Sequence, residues 1–154
     1  KGTRGRKWIS DEGNFFASLF FPLKNNYPPF NEFSIINPVI ISNVIKKFCE
    51  KKSITFKWPN DVFVNNKKIC GILQEHITVN NKKYLIIGIG INIISNPKLD
   101  IKYQATNIFF ETKKKLSTKE MKNLIISSYE KFFIDLNSYN YLNFKTKADL
   151  ITIN

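Results

Sequence analysis

The sequence predicts an α+β protein in which a mainly antiparallel sheet is flanked by helices packed on one side. Three observations support this class: segments with strand alternation, segments with helical periodicity, and two copies of one turn sequence. The turns are Val64–Lys68 and Val79–Lys83, each reading Val-Asn-Asn-Lys-Lys. Because asparagine tolerates positive φ, each is typical of a tight hairpin turn. They join strands predicted near 61–65, 68–77 and 83–94 into a meander.

The first part of the chain contains three further predicted elements. The run 15–23 is short, apolar and rich in phenylalanine, which indicates a buried strand. Residues 38–51 repeat apolar side chains at three- and four-residue steps, which predicts a helix with Pro38 in its first turn. The period then changes to two over 54–58, which predicts another strand.

The last third of the chain is predicted to be mostly helical. Residues 105–110 are interpreted as a short strand, and Ser117 to Glu120 matches a capping box that opens a helix. An apolar stripe continues that helix to Leu136. Residues 150–153 are interpreted as the beginning of a further strand.

Composition is that of an ordinary globular protein. The 154 residues fit one domain, and no apolar run approaches the roughly 18 residues of a membrane span. Two cysteines, Cys49 and Cys70, are too few for a disulfide framework and are interpreted as small buried residues. His76 is interpreted as an ordinary strand residue. These features favour the cytoplasm, and no metal ligands are predicted.

The net charge of +12 leaves two interpretations open. The lysines are spread along a chain rich in Asn, Ile and Lys, which is typical of an AT-rich genome. A basic surface for nucleic acid is the alternative. Only two of the 24 basic residues are arginines, and both Arg4 and Arg6 lie in the first loop. This placement indicates a need for the planar guanidinium there.

Three segments have the composition of binding elements. The first, 1–8, reads KGTRGRKW and offers glycine backbone and four cations to a dense anion, although it lacks P-loop spacing. The second, 56–61, reads FKWPND and lies at the end of a strand. Lys57 is expected on one face of that strand, and the apolar Phe56 and Trp58 on the other. Each of the two is also compatible with a solvated surface segment.

The third segment, 87–93, alternates isoleucine with Gly88, Gly90 and Asn92. Period-two geometry places these three residues on one face. Two glycines on a strand face suggest close approach of a flat ligand, whose edge the Asn92 amide would meet. Close packing against the glycines is the alternative explanation.

Together these segments resemble the biotin protein ligase family. The matching stretches are 1–8, 56–61, 68–75 (KICGILQE) and 88–92 (GIGIN), in the family's order and over about the first two-thirds of the chain. The resemblance implies a catalytic domain like that of class II aminoacyl-tRNA synthetases. It also implies formation of biotinyl-5′-adenylate from biotin and MgATP, followed by transfer of biotin to a lysine of the biotin carboxyl carrier protein.

The resemblance further implies the roles of individual residues. Lys57, Arg4 and Arg6 are expected to be catalytic, with Lys57 at the junction of carboxylate and phosphate. The expected biotin and adenylate contacts are Lys1, Gly2, Thr3, Trp8, Lys57, Asn60, Asp61, Gly71, Gly88, Gly90 and Asn92. Biotin, ATP and Mg²⁺ are the implied small molecules.

The chain also departs from the family pattern. The family loop reads close to GRGRRGR, and Thr3 stands where its second arginine usually occurs. Residues 1–154 are therefore expected to form the catalytic domain, truncated at the N-terminus and without the small C-terminal β domain. A homodimer is left open. The rival functions are a lipoate or octanoate ligase or transferase of the same fold and a basic nucleic-acid-binding module, the latter disfavoured for this chain.

Overall fold

A computed structural model of the protein describes residues 11–96 and 104–153. Within these ranges the strands are β1 (Phe15–Pro22), β2 (Ile54–Lys57), β3 (Asp61–Val64), β4 (Lys67–Val79) and β5 (Lys82–Ile91). They form a single sheet in the order β1-β5-β4-β3-β2, and every neighbouring pair is antiparallel. The two edge strands are therefore β1 and β2.

Both asparagine turns are confirmed as two-residue hairpin connections. Asn65 and Asn66 have φ of 48° and 62°, and Asn80 and Asn81 have φ of 49° and 59°. These left-handed values at both central positions are typical of the type I′ turn, whose twist matches that of the flanking strands. The turns fix the register of β3 with β4 and of β4 with β5.

The helices are α1 (Phe33–Lys46), α2 (Ile108–Thr112), α3 (Thr118–Ile134) and α4 (Tyr141–Ile151). The predicted capping box is confirmed, because Ser117 Oγ accepts from Glu120 N while the Glu120 carboxylate accepts from Ser117 N. The Ser117 side chain and backbone hydrogen bonds lower the pKa of Glu120. Among the described residues no helix combines the length and the apolar character needed to span a membrane.

The core lies between the helices and one face of the sheet. That face presents alternate residues of each strand, such as Ile87, Ile89 and Ile91 of β5, against α1 and α3. Cys49 and Cys70 are buried free thiols, as predicted, and burial raises the pKa of both. The predicted α+β class is confirmed.

Two predictions about the first half were wrong in detail. Helix α1 begins at Phe33, so Pro38 lies inside it and not in its first turn. Phe33 and Ile36, both fully buried, extend the buried stripe in front of the proline. Strand β1 is only half-buried, because it is an edge strand whose Phe20 is 57% exposed.

Three further predictions need correction. Trp58 is 63% exposed and does not share the buried face with Phe56, because β2 ends at Lys57 and the chain turns away. Residues 105–110 are not a strand: Ala105 makes one bridge, and Asn107 then caps α2 by accepting from Phe110 N. Leu150 lies in α4, so extended backbone begins only at Thr152, which bridges Phe56.

A buried chain of hydrogen bonds joins α3, α1 and the sheet. Tyr129 Oη donates to Asn37 Oδ1 over 2.9 Å, Asn37 Nδ2 donates to Gln74 Oε1 over 3.0 Å, and Gln74 Nε2 donates to Phe30 O. Tyr129 and Asn37 are 4% and 1% exposed, and burial raises the pKa of Tyr129. The chain therefore keeps polar groups satisfied inside the core.

Replacement of Tyr129 by phenylalanine should lower the free energy of unfolding by about 1–2 kcal/mol, because Asn37 Oδ1 loses its buried donor. Urea unfolding measures the change. Tyr141→Phe, at a position that is 38% exposed, is the matched control and should change stability by less than about 0.5 kcal/mol. Equal effects of the two substitutions would show that the buried hydrogen bond contributes nothing.

Candidate functional site

One row of residues crosses the entire sheet on the face opposite the helices. The strand register pairs Phe16 with Gly90, Gly90 with Gly71, Gly71 with Asp61, and Asp61 with Lys57. Each neighbour along its own strand, such as Phe56 beside Lys57, points into the core. We call these five residues the glycine row. It brings together three of the segments identified in the sequence, which lie up to 33 positions apart.

The two central positions of the glycine row present no side chain. Gly71 and Gly90 are adjacent in register and belong to the interior strands β4 and β5. Gly13 is the one described glycine with positive φ, so neither needs glycine for its backbone conformation. A Cβ added at Gly88, in the next row, would lie 3.5 Å from Leu73 Cβ, an ordinary contact. Packing within the sheet therefore does not require glycine at position 88.

The β2–β3 end of the glycine row carries charge. Lys57 and Asp61 are partners in register, and both are partly buried. Lys68 Nζ lies 2.7 Å from Asp61 Oδ1, and both side chains are about one-fifth exposed. Asp61 lies next to Gly71 in register, with Lys57 on its other side and the Lys68 ammonium on its carboxylate. The cationic side chains of the candidate site therefore lie at this end of the row.

The backbone of Asn60 fixes the turn between β2 and β3. Its N–H donates to Lys57 O over 3.2 Å, and its carbonyl accepts from Ile72 N over 2.8 Å. The first bond closes the turn and the second attaches it to β4. Asn60 therefore positions Lys57 and Asp61 through its main chain.

Asn92 has a role in the structure that the sequence did not indicate. It is 8% exposed, and its Nδ2 donates to Thr106 O over 3.0 Å. Its N–H donates to Ile69 O, and its carbonyl accepts from Ile108 N. Asn92 thus attaches the segment before α2 to the end of β5.

The remaining predicted site residues lie outside the described residues: Lys1, Gly2, Thr3, Arg4, Arg6 and Trp8. The chain that follows them is firmly attached to the sheet. Asn14 Oδ1 accepts from the backbone N–H groups of Ile93, Ile94 and Ser95 at 2.8, 3.0 and 3.3 Å. Its Nδ2 donates to Ser95 O and Oγ, each at 3.1 Å. Gly13 has a φ of 84°, and a Cβ atom added there would overlap Ile94 Cδ1.

Asn14→Ala should lower the free energy of unfolding by about 2–3 kcal/mol, because the amides that converge on Oδ1 lose their acceptor. Asn14→Asp keeps that acceptor and should recover a large part of the loss. Urea unfolding of both variants measures this. Wild-type stability of Asn14→Ala would show that water replaces the amide without cost.

Lys68 and Asn14 are site-supporting residues that sequence reasoning missed. Lys68 was quoted within a matching segment, but its pairing with Asp61 depends on the register of β3 and β4. The hairpin turn at Asn65 gives a partial signal: it places Lys68 opposite Phe63, and the register shift between Val62 and Phe63 then brings Asp61 within reach. Asn14 carried no comparable signal.

Comparison with known proteins extends these observations. The chain is 28% identical to the biotin protein ligase of Aquifex aeolicus, solved with biotin and ATP, with a TM-score of 0.79 over 99% of this chain and 64% of that one. It is 33% identical over 95 residues to the bifunctional ligase/repressor BirA of Escherichia coli, covering 60% of this chain and 29% of that protein. A biotin–[acetyl-CoA-carboxylase] ligase of Paracoccus denitrificans is 24% identical over 147 residues, 92% of this chain and 61% of that protein.

The fold therefore occurs in a class of proteins whose solved members include biotin protein ligases. The chain belongs to the Biotin/lipoate A/B protein ligase family, whose model matches residues 1–92. The resemblance to biotin protein ligases noted from the sequence is confirmed. The chain spans less than a third of the length of the E. coli relative and under two-thirds of the others.

Proposed function

We propose that this chain carries the centre of an ATP-dependent biotin ligase that forms biotinyl-5′-adenylate and transfers biotin to a lysine of the biotin carboxyl carrier protein. The observation that supports this most directly is the glycine row, in which bare strand backbone leads to Asp61 and Lys57, with Lys68 paired to Asp61. The relatives named above are biotin ligases, and one was solved with both substrates. The family itself also includes lipoate ligases.

The first half-reaction requires alignment and cations more than it requires a base. A biotin carboxylate oxygen forms a bond to the α-phosphorus of ATP, and the bond from that phosphorus to the bridging oxygen of pyrophosphate breaks. The carboxylate is already ionised at neutral pH. We assign Lys57 and Lys68 to the negative charge that accumulates at this junction. The first-loop arginines Arg4 and Arg6 are proposed to share that task.

The second half-reaction transfers the acyl group. The amine of the carrier lysine attacks the acyl carbon and AMP leaves, so the amine must lose protons. We propose Asp61 as the acceptor of such a proton. Its 2.7 Å contact with Lys68 supports a second task, which is to hold that ammonium in place.

The adenylate contacts are proposed along the same face. The backbones of Gly71, Gly88 and Gly90 allow close approach of a flat ligand, and Asn92 lies at the end of β5. Contacts from Lys1, Gly2, Thr3, Trp8 and Asn60 are proposed from their positions in the matching segments. Residues 1–154 are proposed to be part of one catalytic domain.

Mg²⁺ is proposed to enter as part of the substrate MgATP. In the described ranges no three His, Cys, Asp or Glu side chains gather as a metal site. Mg²⁺ that enters with a nucleotide is held largely by the phosphates of that nucleotide. The cytoplasm is the proposed compartment, and a homodimer is left open.

The deciding experiment is exchange of labelled pyrophosphate into ATP by the full-length protein, with biotin, lipoate, octanoate or no acid added. We expect exchange that depends on biotin and is much weaker with the other acids. Exchange with lipoate or octanoate alone would assign the protein to the rival branch of the family. No acid-dependent exchange by folded protein would contradict the proposal.

A further inference from the structure

We propose that Glu111 is a positioning residue, which sets the place of Lys68 through the segment that precedes α2. This inference rests on the proposed function, because it concerns how accurately an ammonium is held at the reacting phosphate. It is carried by a continuous set of hydrogen bonds among described residues.

The backbone of Lys68 is held by residues 104–106. Its N–H donates to Gln104 O over 2.8 Å, and its carbonyl accepts from Thr106 N over 2.8 Å. Ala105 forms the corresponding parallel bridge with Lys68. Both polar groups of the Lys68 main chain are therefore satisfied by one short segment, and its place along the sheet follows that of the segment.

Thr106 is in turn fixed from two sides. It is 1% exposed, and its carbonyl accepts from Asn92 Nδ2 at the end of β5. Its hydroxyl donates to Glu111 Oε1 over 2.8 Å. The carboxylate of Glu111, on α2, is therefore the anchor of the segment on the side away from β5.

Glu111 is nearly inaccessible and has two more partners. Its side chain is 5% exposed, Asn65 Nδ2 donates to Oε2 over 3.2 Å, and Lys52 Nζ lies 3.8 Å from the same oxygen. Asn65 belongs to the β3–β4 turn, directly before the strand that carries Lys68. One buried carboxylate thus joins α2 and Thr106 to the β3–β4 turn. A buried charge with several donors is held rigidly, since each donor limits its orientation.

The geometry also explains why such an anchor is useful. Strand β5 ends at Ile91, so it does not accompany β4 as far as Lys68. The segment 104–106 takes the neighbouring place in the sheet, and Thr106 anchors it to Asn92 and to Glu111. Loss of one anchor should let Lys68 move relative to Asp61, and small displacements of a group that acts in the transition state lower the rate strongly.

The test compares Glu111→Gln with wild type in biotin-dependent pyrophosphate exchange by the full-length protein. We expect kcat to fall about tenfold while KM for biotin and ATP changes less than about twofold, the pattern of a contact that matters mainly in the transition state. Glu130→Gln makes the same chemical change at an exposed position of α3 and should match wild type.

A double-mutant cycle separates positioning from general stability. In a Lys68→Ala background, Glu111→Gln should cause no further loss of rate, because the group that it positions is gone. Additive losses would overturn the inference, as would wild-type kcat of Glu111→Gln in an active protein. Absence of biotin-dependent exchange by the wild type would instead contradict the proposed function itself.

Thr106 provides an independent pair of variants should Glu111→Gln fail to fold. Thr106→Val keeps the shape and removes the hydroxyl that donates to Glu111, so its kcat should fall about as far as that expected for Glu111→Gln. Thr106→Ser keeps the hydroxyl and should retain most of the wild-type rate. Equal kcat for the valine and serine variants would overturn the inference.

Discussion

Lys57→Ala is expected to lower the rate of adenylate formation by roughly 10²–10³-fold, the effect of losing one oriented transition-state donor. Lys57 lies at the end of β2, in register with Asp61, and Asn60 holds the turn that follows it. Its backbone is therefore fixed at the β2 end of the glycine row, near which the carboxylate–phosphate junction is proposed to lie. Pyrophosphate exchange measures the rate, and the melting temperature of the variant reports folding.

The conservative variant Lys57→Arg should also fail substantially. A planar guanidinium differs in size and direction from a compact ammonium, and the position is partly buried. Lys83→Ala, at an exposed position near the β4–β5 turn, is the matched control and should exchange at the wild-type rate. If folded Lys57→Ala exchanged pyrophosphate as fast as wild type, Lys57 would be only a strand-end lysine and the proposed mechanism would be wrong.

The strands were predictable where turn chemistry and side-chain period agreed. The pairs Asn65-Asn66 and Asn80-Asn81 identify the two hairpin turns. Together with the alternating isoleucines, the second turn determines the register of β4 with β5. Register then brings Gly71 opposite Gly90, so part of the candidate site also follows from the sequence. The capping box at Ser117 was predictable for the same reason, because it is a local interaction.

The parts that could not be predicted depend on distant contacts. Burial of Phe33 and Ile36 against the sheet extends α1 in front of Pro38, against the usual place of proline in a helix. Residues 105–107 read as a strand because their local pattern is ambiguous, and their bonds to Lys68 and Asn92 decide their conformation. The salt bridge between Lys68 and Asp61 likewise depends on the register of β3 with β4, including a shift between Val62 and Phe63.

Gly90→Val tests the meaning of the bare backbone at the centre of the sheet. Gly90 lies between Phe16 and Gly71 in register, and its φ is not one that favours glycine. Valine suits strand backbone, so the fold should be largely retained. Its side chain would occupy space proposed for the adenylate, so affinity for a non-hydrolysable biotinyl-adenylate analogue should fall roughly 10- to 100-fold, as overpacking costs about 1–3 kcal/mol.

Gly88→Ala distinguishes ligand space from packing in the neighbouring row. Its Cβ would make an ordinary contact with Leu73, so the change should leave the melting temperature nearly unaltered. A lower affinity of this variant for the analogue would then report the ligand itself, since the sheet tolerates the added methyl group. Calorimetric titration of both variants, with melting temperatures alongside, measures the two effects separately. Unchanged affinity of folded Gly90→Val would mean that the glycines serve packing of the chain and that the adenylate lies elsewhere.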